Sequence, residues 1–466
     1  MLNRRTTWIF ILALCVGSRL LTTIFYIEDV DSLRFALGVI DFDVTKLQPH
    51  FPAYPVFVFL AKFLYATIGS YALSFTLLGG LSTYVIIFFT LKIVEADIHT
   101  LFGISSVLVM FFNPLIWLMG NRFMPDITGL AFCFAVLYLA NSKSDKIIYL
   151  GFFLSGLSLG VRLSYFPLLL PVLVMGVLRH RKPIRLCIVF MIGVGLWLGP
   201  LVYLTGWNNL VAAASVQTAG HFNEFGGTIS TEPNLIERLS GFCKSVWADG
   251  FGLYWVNRHL LTAVTSVFLF VLLYTSRQEL LRNAIGSQVF GLIFVSVSIY
   301  LGWILLFQNV IHKSRHVLPL LPFFSLIVAY VVSHSLAARK VILSFAVLVF
   351  LFCYGFVTCY LVFQHSEPTA IAQVRNYLAK KEDVLHVVSA PLIKYYLAAG
   401  DLQASFTSIE TSAELNAVDP SKHSGCFVSV GSPIPDSNYS TARTFYHNPF
   451  VNRMWPVISI YEYGCD

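Results

Sequence analysis

About eleven apolar stretches of roughly 15 to 25 residues recur between residues 6 and 363, and this repetition constrains the fold more than any other feature. An α-helix rises 1.5 Å per residue, so about 20 apolar residues match the ~30 Å hydrocarbon core of a bilayer. No water is present there to satisfy backbone N–H and C=O groups, so each stretch has to be helical. The spacing predicts spans at 6–26, 71–92, 99–116, 127–140, 147–161, 164–178, 184–206, 259–276, 284–308, 316–333 and 340–363. Charge agrees. Only 12% of the 466 residues are Asp, Glu, Lys or Arg, about half of what a water-facing surface uses. A hydrophobic content of 57% excludes intrinsic disorder, and no heptad or Gly-X-Y period supports a fibre. The expected class is an α-helical polytopic membrane protein.

Basic residues orient such a chain, because Lys and Arg are retained on the cytoplasmic side. Arg4/Arg5, Lys143/Lys146, Arg179/Arg181/Lys182/Arg185, Arg277/Arg282 and Arg339/Lys340 all fall on one side of the predicted spans. The N-terminus is therefore expected in the cytoplasm of a multi-pass protein of the plasma or inner membrane. Residues 1–26 begin like a signal peptide, but the apolar run is about 20 residues long and lacks an A-x-A-like site, so an uncleaved span is expected. The net charge of +7 lies in these short loops and not in a basic stripe with interleaved aromatics, which argues against nucleic acid.

The opposite, external side receives residues 27–70, 112–126, 207–258, 309–315 and the last hundred residues. Within 27–70, the apolar runs 31–40 and 52–68 are punctuated by Pro49, Pro52 and Pro55, which predicts two interfacial helices. A spanning 52–68 is the alternative, and it would invert the basic pattern downstream. Residues 207–258 are expected to form a flexible flap. After residue 365 the composition becomes ordinary: a helix at Ala370–Lys380, a strand at Val384–Ser389, a helix at Pro391–Ala399 and strands at Cys426–Val430 and Val457–Tyr461 predict a small α/β domain. The chain thus divides into a membrane domain, 1–364, and an exported domain, 365–466. Of eight cysteines, none forms a CxxC; Cys15, Cys133, Cys187, Cys353 and Cys359 lie in or beside apolar runs as packing residues. Export would allow Cys426 and Cys465 to form a disulfide.

The residues with chemical potential gather outside. Tyr26-Ile27-Glu28-Asp29-Val30-Asp31-Ser32-Leu33-Arg34-Phe35-Ala36 places three carboxylates and a guanidinium after the first span. Acids near hydrocarbon are costly to keep ionised, so three within four positions point to a task beyond ending a helix. Gln48-Pro49-His50-Phe51-Pro52-Ala53-Tyr54-Pro55 is a proline-stiffened turn presenting His50 and Tyr54. Arg34, Arg122, Arg162, Lys313 and Arg315 are external cations, either anion ligands or headgroup anchors. Asp126 follows Pro125 at a helix start, as a cap or as a ligand for sugar hydroxyls or a divalent cation. His221 and Glu224 have an H-x-x-E spacing but no second His, which does not make a zinc site. Gly156 and Gly160 form a GxxxG read as close helix packing, and Asn438-Tyr439-Ser440 is a glycosylation sequon in a host able to use it.

This pattern resembles a known family. An acid after the first span, the Arg34-Phe35-Ala36 step and a turn reading Pro49-His50-Phe51-Pro52-Ala53-Tyr54-Pro55 are similar to the first external loop of GT-C membrane glycosyltransferases, in the branch of the protein O-mannosyltransferases and the aminoarabinose transferases of lipid A. The turn departs from the family's Pro-His-Pro-Pro-Gly-Tyr-Pro at Phe51 and Ala53, and Asp31-Ser32 stands where many relatives have Asp-Glu. Asn121-Arg122-Phe123-Met124-Pro125-Asp126 and Gly160-Val161-Arg162-Leu163-Ser164 look like later external turns of that family. The likeness covers roughly the first 180 residues by motif and the rest by architecture.

The resemblance implies an inverting transfer of a sugar from a polyprenyl-phosphate carrier to an acceptor hydroxyl on the external face. A carboxylate within hydrogen-bond reach must take the hydroxyl proton; Asp31 is the first candidate and Asp29 the second. The lipid phosphate leaves as an anion and needs positive charge, for which Arg34, Arg122, Arg162, Lys313 and Arg315 are candidates, with Glu28, His50, Tyr54 and Asp126 also expected to bind substrate. The acceptor is a lipid, a glycan or a protein, and membrane lipids are the surroundings. No nucleotide or redox cofactor is implied; a divalent cation on Glu28/Asp29 and Asp126 is the one candidate cofactor. Two other readings stay open: a transporter or flippase of lipid-linked sugars, and a non-catalytic scaffold for cell-envelope polysaccharide assembly.

Overall fold

The computed structural model describes residues 3–283, 288–381, 385–400, 402–423 and 425–465. Two units make up the chain: residues 1–23 with 35–363, and residues 24–34 with 364–466.

The first unit is helical, and its helix boundaries follow from capping chemistry. Helices α1 (Arg4–Leu21), α2 (Val30–Ile40, shared with the second unit), α3 (Pro55–Ile68), α4 (Tyr71–Ile93), α5 (Leu101–Phe111), α6 (Pro114–Asn121), α7 (Asp126–Leu139), α8 (Asp145–Leu159), α9 (Phe166–Arg179), α10 (Pro183–Thr205), α11 (Trp207–Asn223), α12 (Leu235–Lys244), α13 (Leu260–Asn283), α14 (Gln288–Phe307), α15 (Leu321–Ala337) and α16 (Val341–His365) follow in order. Asn3, Ser70, Thr100 and Asn113 each offer a side-chain oxygen to a backbone N–H of the first turn of α1, α4, α5 and α6. Asn113 also precedes Pro114, which disfavours helical backbone at residue 113. The single span expected at 99–116 is therefore broken into α5 and α6, bent by 51°.

Five helices among the described residues are long and apolar enough to cross a membrane, or six if α5 and α6 count as one span. The other expected spans are also helices. However, α1 carries Arg4, Arg5 and Arg19, while α7 and α9 are shorter than a full crossing. Residues 284–287, the start of the 284–308 expectation, lie outside the described residues. Large apolar side chains on α10 (Ile184, Ile188, Met191, Leu196) and α16 (Val341, Phe345, Leu348, Phe352) are exposed. Such faces would aggregate in water but match hydrocarbon.

Lipid removes much of the hydrophobic drive between helices, so they must associate by close packing. Gly156 of α8 meets α10 so tightly that a Cβ there would stand 2.2 Å from the Phe190 carbonyl oxygen. This is the close packing expected of the GxxxG. Helices α4, α7, α9 and α15 enclose a core that includes Ile86, Phe134, Leu168 and Val331.

Residues 207–258, expected as a flap, hold regular structure. They form α11, α12 and a π-helical turn at Ser245–Gly250. Asn234 caps α12, and the buried Arg238 donates to the carbonyls of Gly227 at 2.7 Å and Gln308 at 2.9 Å. One guanidinium thus satisfies carbonyls from two segments, which gives an otherwise polar stretch a fixed course.

The second unit is α/β. Helix α17 (Ala370–Leu378) precedes β1 (Leu385–Ser389), α18 (Pro391–Ala398), β2 (Ala404–Ser408), α19 (Ser412–Asn416), β3 (Cys426–Val430), β4 (Thr441–Tyr446) and β5 (Val457–Tyr463). The sheet order is β2-β1-β3-β5-β4, with β1 parallel to β2 and β3, and β5 antiparallel to β3 and β4. Val384, where the first strand was expected to begin, lies outside the described residues. Cys426 and Cys465 form a disulfide.

Candidate active site

In the first unit, the candidate residues converge on the start of α7. Asp126 is completely buried, and its Oδ1 lies 2.8 Å from Arg162 Nη2. Arg162 occupies the turn between α8 and α9, and the backbones meet closely there: a Cβ on Gly129 would stand 2.6 Å from the Arg162 Cβ. Only glycine leaves that room. The Arg162 guanidinium also lies 5.4 Å from the Tyr165 ring and 5.9 Å from the Tyr54 ring. A hydrogen bond from Val56 N to Gly160 O, 3.0 Å, ties the first turn of α3 to the same turn.

That tie brings the proline-rich turn alongside. Gln48–Pro49 and Phe51–Pro52 are cis, and Ala53 and Tyr54 adopt φ of +69° and +48°. Left-handed backbone costs a non-glycine residue roughly 1–2 kcal/mol, so the surrounding packing holds the turn in this form. Tyr54 Oη stands 3.5 Å from His50 Nε2, and both rings pack edge-on against Phe35.

More cations gather in the segment after α14. Arg315 Nη1 reaches Met124 Sδ at 2.9 Å, and Met124 N donates to the carbonyl of Arg122, whose side chain is buried. Arg315, Arg162, Lys313 and His221 all act electrostatically on the buried His316. His221 Nε2 itself lies 2.8 Å from the Phe307 carbonyl. Arg162, Arg315 and Lys313 therefore share one region in which Asp126 is a buried counter-charge.

The expected acids Glu28, Asp29 and Asp31 belong to the second unit, and all three are buried. Glu28 Oε2 is 2.7 Å from His365 Nε2, and Thr369 Oγ1 donates to the Glu28 carbonyl at 2.8 Å. Tyr26 Oη donates to the His365 carbonyl, and Tyr396 Oη to that of Ile27. Burial pushes the Tyr396 phenol up, with Arg375 opposing and Asp29 and Glu28 reinforcing the shift, so it stays a donor.

Asp29 caps α2. Its Oδ1 accepts from Ser32 N at 2.8 Å and its carbonyl from Leu33 N at 3.0 Å, while Oδ2 accepts from Asn452 Nδ2 at 3.2 Å. Asp31 lies in the first turn of α2, its Oδ1 3.7 Å from Arg34 Nη1, and Arg34 stacks 5.5 Å from the Tyr395 ring. The two neighbouring acids therefore stand in different settings, Asp29 as a helix cap and Asp31 beside a cation.

Several of these contacts escape sequence reasoning. Tyr165 and His316 adjoin Arg162 and Arg315 in the chain and were within reach of that signal. His365, Thr369 and Asn452 had none, since they meet Glu28 and Asp29 across separations of 337 to 423 residues. Among the described residues, no group of three or more His, Cys, Asp or Glu is arranged to hold a metal ion. Glu28 faces His365 and Asp126 faces Arg162, so these two expected cation ligands are directed at nitrogen groups of their own units.

No family model matches the sequence, and no curated protein matches it significantly. Solved structures do match its fold. The aminoarabinose transferase ArnT from Cupriavidus metallidurans, bound to undecaprenyl phosphate, aligns with a TM-score of 0.52 at 10% identity over 98% of this chain and 97% of its own. Its apo state aligns at 0.50 and 11% over 98% of both. An Archaeoglobus fulgidus oligosaccharyltransferase, in complex with Zn and sulfate, reaches 0.49 at 11% over 90% of this chain and 67% of that one, too weak a likeness to argue from. The chain is a helical membrane protein that shares the fold of ArnT along nearly its whole length.

Proposed function

We propose that the protein is a membrane glycosyltransferase that moves a sugar from a polyprenyl-phosphate carrier to an acceptor hydroxyl on the external face, with inversion. The observation that carries this reading is the basic cluster of the buried Arg162 with the partly buried Arg315 and Lys313 at Asp126, in a chain whose fold is that of a transferase solved with a lipid phosphate. Fold likeness alone is analogy; the cluster supplies the chemistry.

In the proposed reaction, Asp31 accepts the acceptor hydroxyl proton as its oxygen bonds to the anomeric carbon. The bond from that carbon to the phosphate oxygen breaks on the opposite face, and the lipid phosphate departs with the electron pair. Positive charge stabilises that departure, which is the role of Arg162 with Arg315, Lys313 and Arg122. Arg34, 3.7 Å away, is the ion-pair partner that orients Asp31. Asp29 is spent on the helix cap, which favours Asp31 as the base. His50 and Tyr54 serve as sugar-facing hydrogen-bonding groups. The Cys426–Cys465 disulfide supports an oxidising, external location for the second unit, and with α1 as a span the N-terminus is cytoplasmic. The acceptor is a lipid, glycan or protein.

The test uses the full protein in proteoliposomes with a labelled polyprenyl-phosphate sugar. Asp31→Asn should lower transfer by roughly 10²–10⁴ while donor binding persists. Transfer by that variant at the wild-type rate would refute Asp31 as the base, and donor translocation without any transfer would replace the reading with that of a flippase.

A further inference from the structure

We infer that Asn452 is a positioning residue for the catalytic carboxylate, acting through Asp29 at the N-cap of α2. The inference rests on the assignment of Asp31 as base. It identifies the C-terminal segment, remote in sequence, as the part of the protein that orients that base.

The argument follows a chain of bonds within the second unit. Asp29 determines where α2 begins, since Ser32 N and Leu33 N both donate to it. The direction in which Asp31 projects, two residues later, depends on that start. Asp29 is in turn held by the Asn452 amide at 3.2 Å. Asn452 is 4% exposed and fixed on its other sides: its Oδ1 accepts from Met454 N at 2.8 Å, and its carbonyl lies 2.9 Å from His447 Nε2. His447 Nδ1 accepts from Ala370 N at the start of α17, 3.0 Å. A path of directional bonds thus runs from α17 through His447 and Asn452 to Asp29. Glu28, one residue earlier, is fixed independently by His365 and Thr369. Buried polar networks of this kind, when satisfied, hold their members rigidly. A displacement of about 1 Å in a reacting group can cost on the order of 10² in rate.

Asn452→Asp sets a second carboxylate against Asp29 and should reduce kcat roughly 10- to 100-fold with the donor KM unchanged. The exchange Asp29→Asn with Asn452→Asp restores one donor and one acceptor, because Asn is as good a helix cap as Asp. It should recover most of kcat. If Asn452→Asp fails to fold, Asn452→Ser, which withdraws the amide without adding charge, should show the same loss of kcat at constant KM. A wild-type kcat in Asn452→Asp or Asn452→Ser would overturn the proposal, as would a folded exchange variant no faster than the single one. Asp31→Asn, assayed alongside, separates the two ideas. Its retention of transfer would remove the base assignment, whereas its inactivity beside an unaffected Asn452 series would remove only the positioning role.

Discussion

Replacing Arg162 by leucine should destabilise the protein and weaken donor binding, and a second substitution should pull the two effects apart. Asp126 is completely buried with its Oδ1 2.8 Å from the guanidinium. Removing one member of such a pair strands the other and costs about 3–5 kcal/mol. Asp126→Asn should cost less than Arg162→Leu, because the stranded arginine keeps the Tyr165 and Tyr54 rings at 5.4 and 5.9 Å, each contact contributing ~0.5–2 kcal/mol. The double variant Asp126→Asn/Arg162→Leu leaves no buried charge and should regain most of the lost stability. It should not regain donor affinity, since a charge-assisted bond to phosphate contributes about 1.5–3 kcal/mol, or roughly 10- to 150-fold in Kd. Chemical unfolding of the purified protein in lipid discs and equilibrium binding of a polyprenyl phosphate measure the two quantities separately. A double variant that binds the lipid phosphate as tightly as the wild type would reduce Arg162 to the structural partner of Asp126.

Two further outcomes concern the second unit. Reducing the Cys426–Cys465 disulfide, or replacing both residues by serine, removes a cross-link between positions 39 apart and should cost ~4 kcal/mol by loop entropy; an unchanged unfolding midpoint of that unit under reductant would contradict this. His386 stacks on His423 with ring centres 4.1 Å apart, and burial first, then the His423 charge, lower its pKa below the usual 6.5. The unfolded chain therefore takes up this proton more readily, so stability is full above about pH 6.5 and declines as pH falls toward the folded pKa; His386→Phe should flatten that decline in thermal scans of the full protein between pH 5 and 8.

The membrane helices were legible because hydrocarbon imposes both length and composition, and even the break in 99–116 is written in Asn113-Pro114. The 207–258 segment was not legible, since its course depends on Arg238 reaching carbonyls about 70 residues away. Strands β2 and β4 went unseen for a related reason: both are edge strands, largely solvated, with no apolar alternation to mark them. Asp126 and Arg162 were each recognisable as candidates, but their pairing was not, because nothing in spacing announces that Gly129 lets two backbones meet. The role of Asp29 as a cap was readable in principle, from an Asp three residues before Ser32 at a helix start. Its anchoring by Asn452 was not, since local pattern carries no information about partners over 400 residues distant.

Residues 24–34 precede the partners that secure them by more than 300 residues, so they are synthesised well before those partners. Until those residues are made, Glu28 has no His365 and Asp29 no Asn452. The sheet of that unit likewise needs β5, which joins β3 to β4. A chain interrupted before Asn452 therefore lacks the amide that holds Asp29.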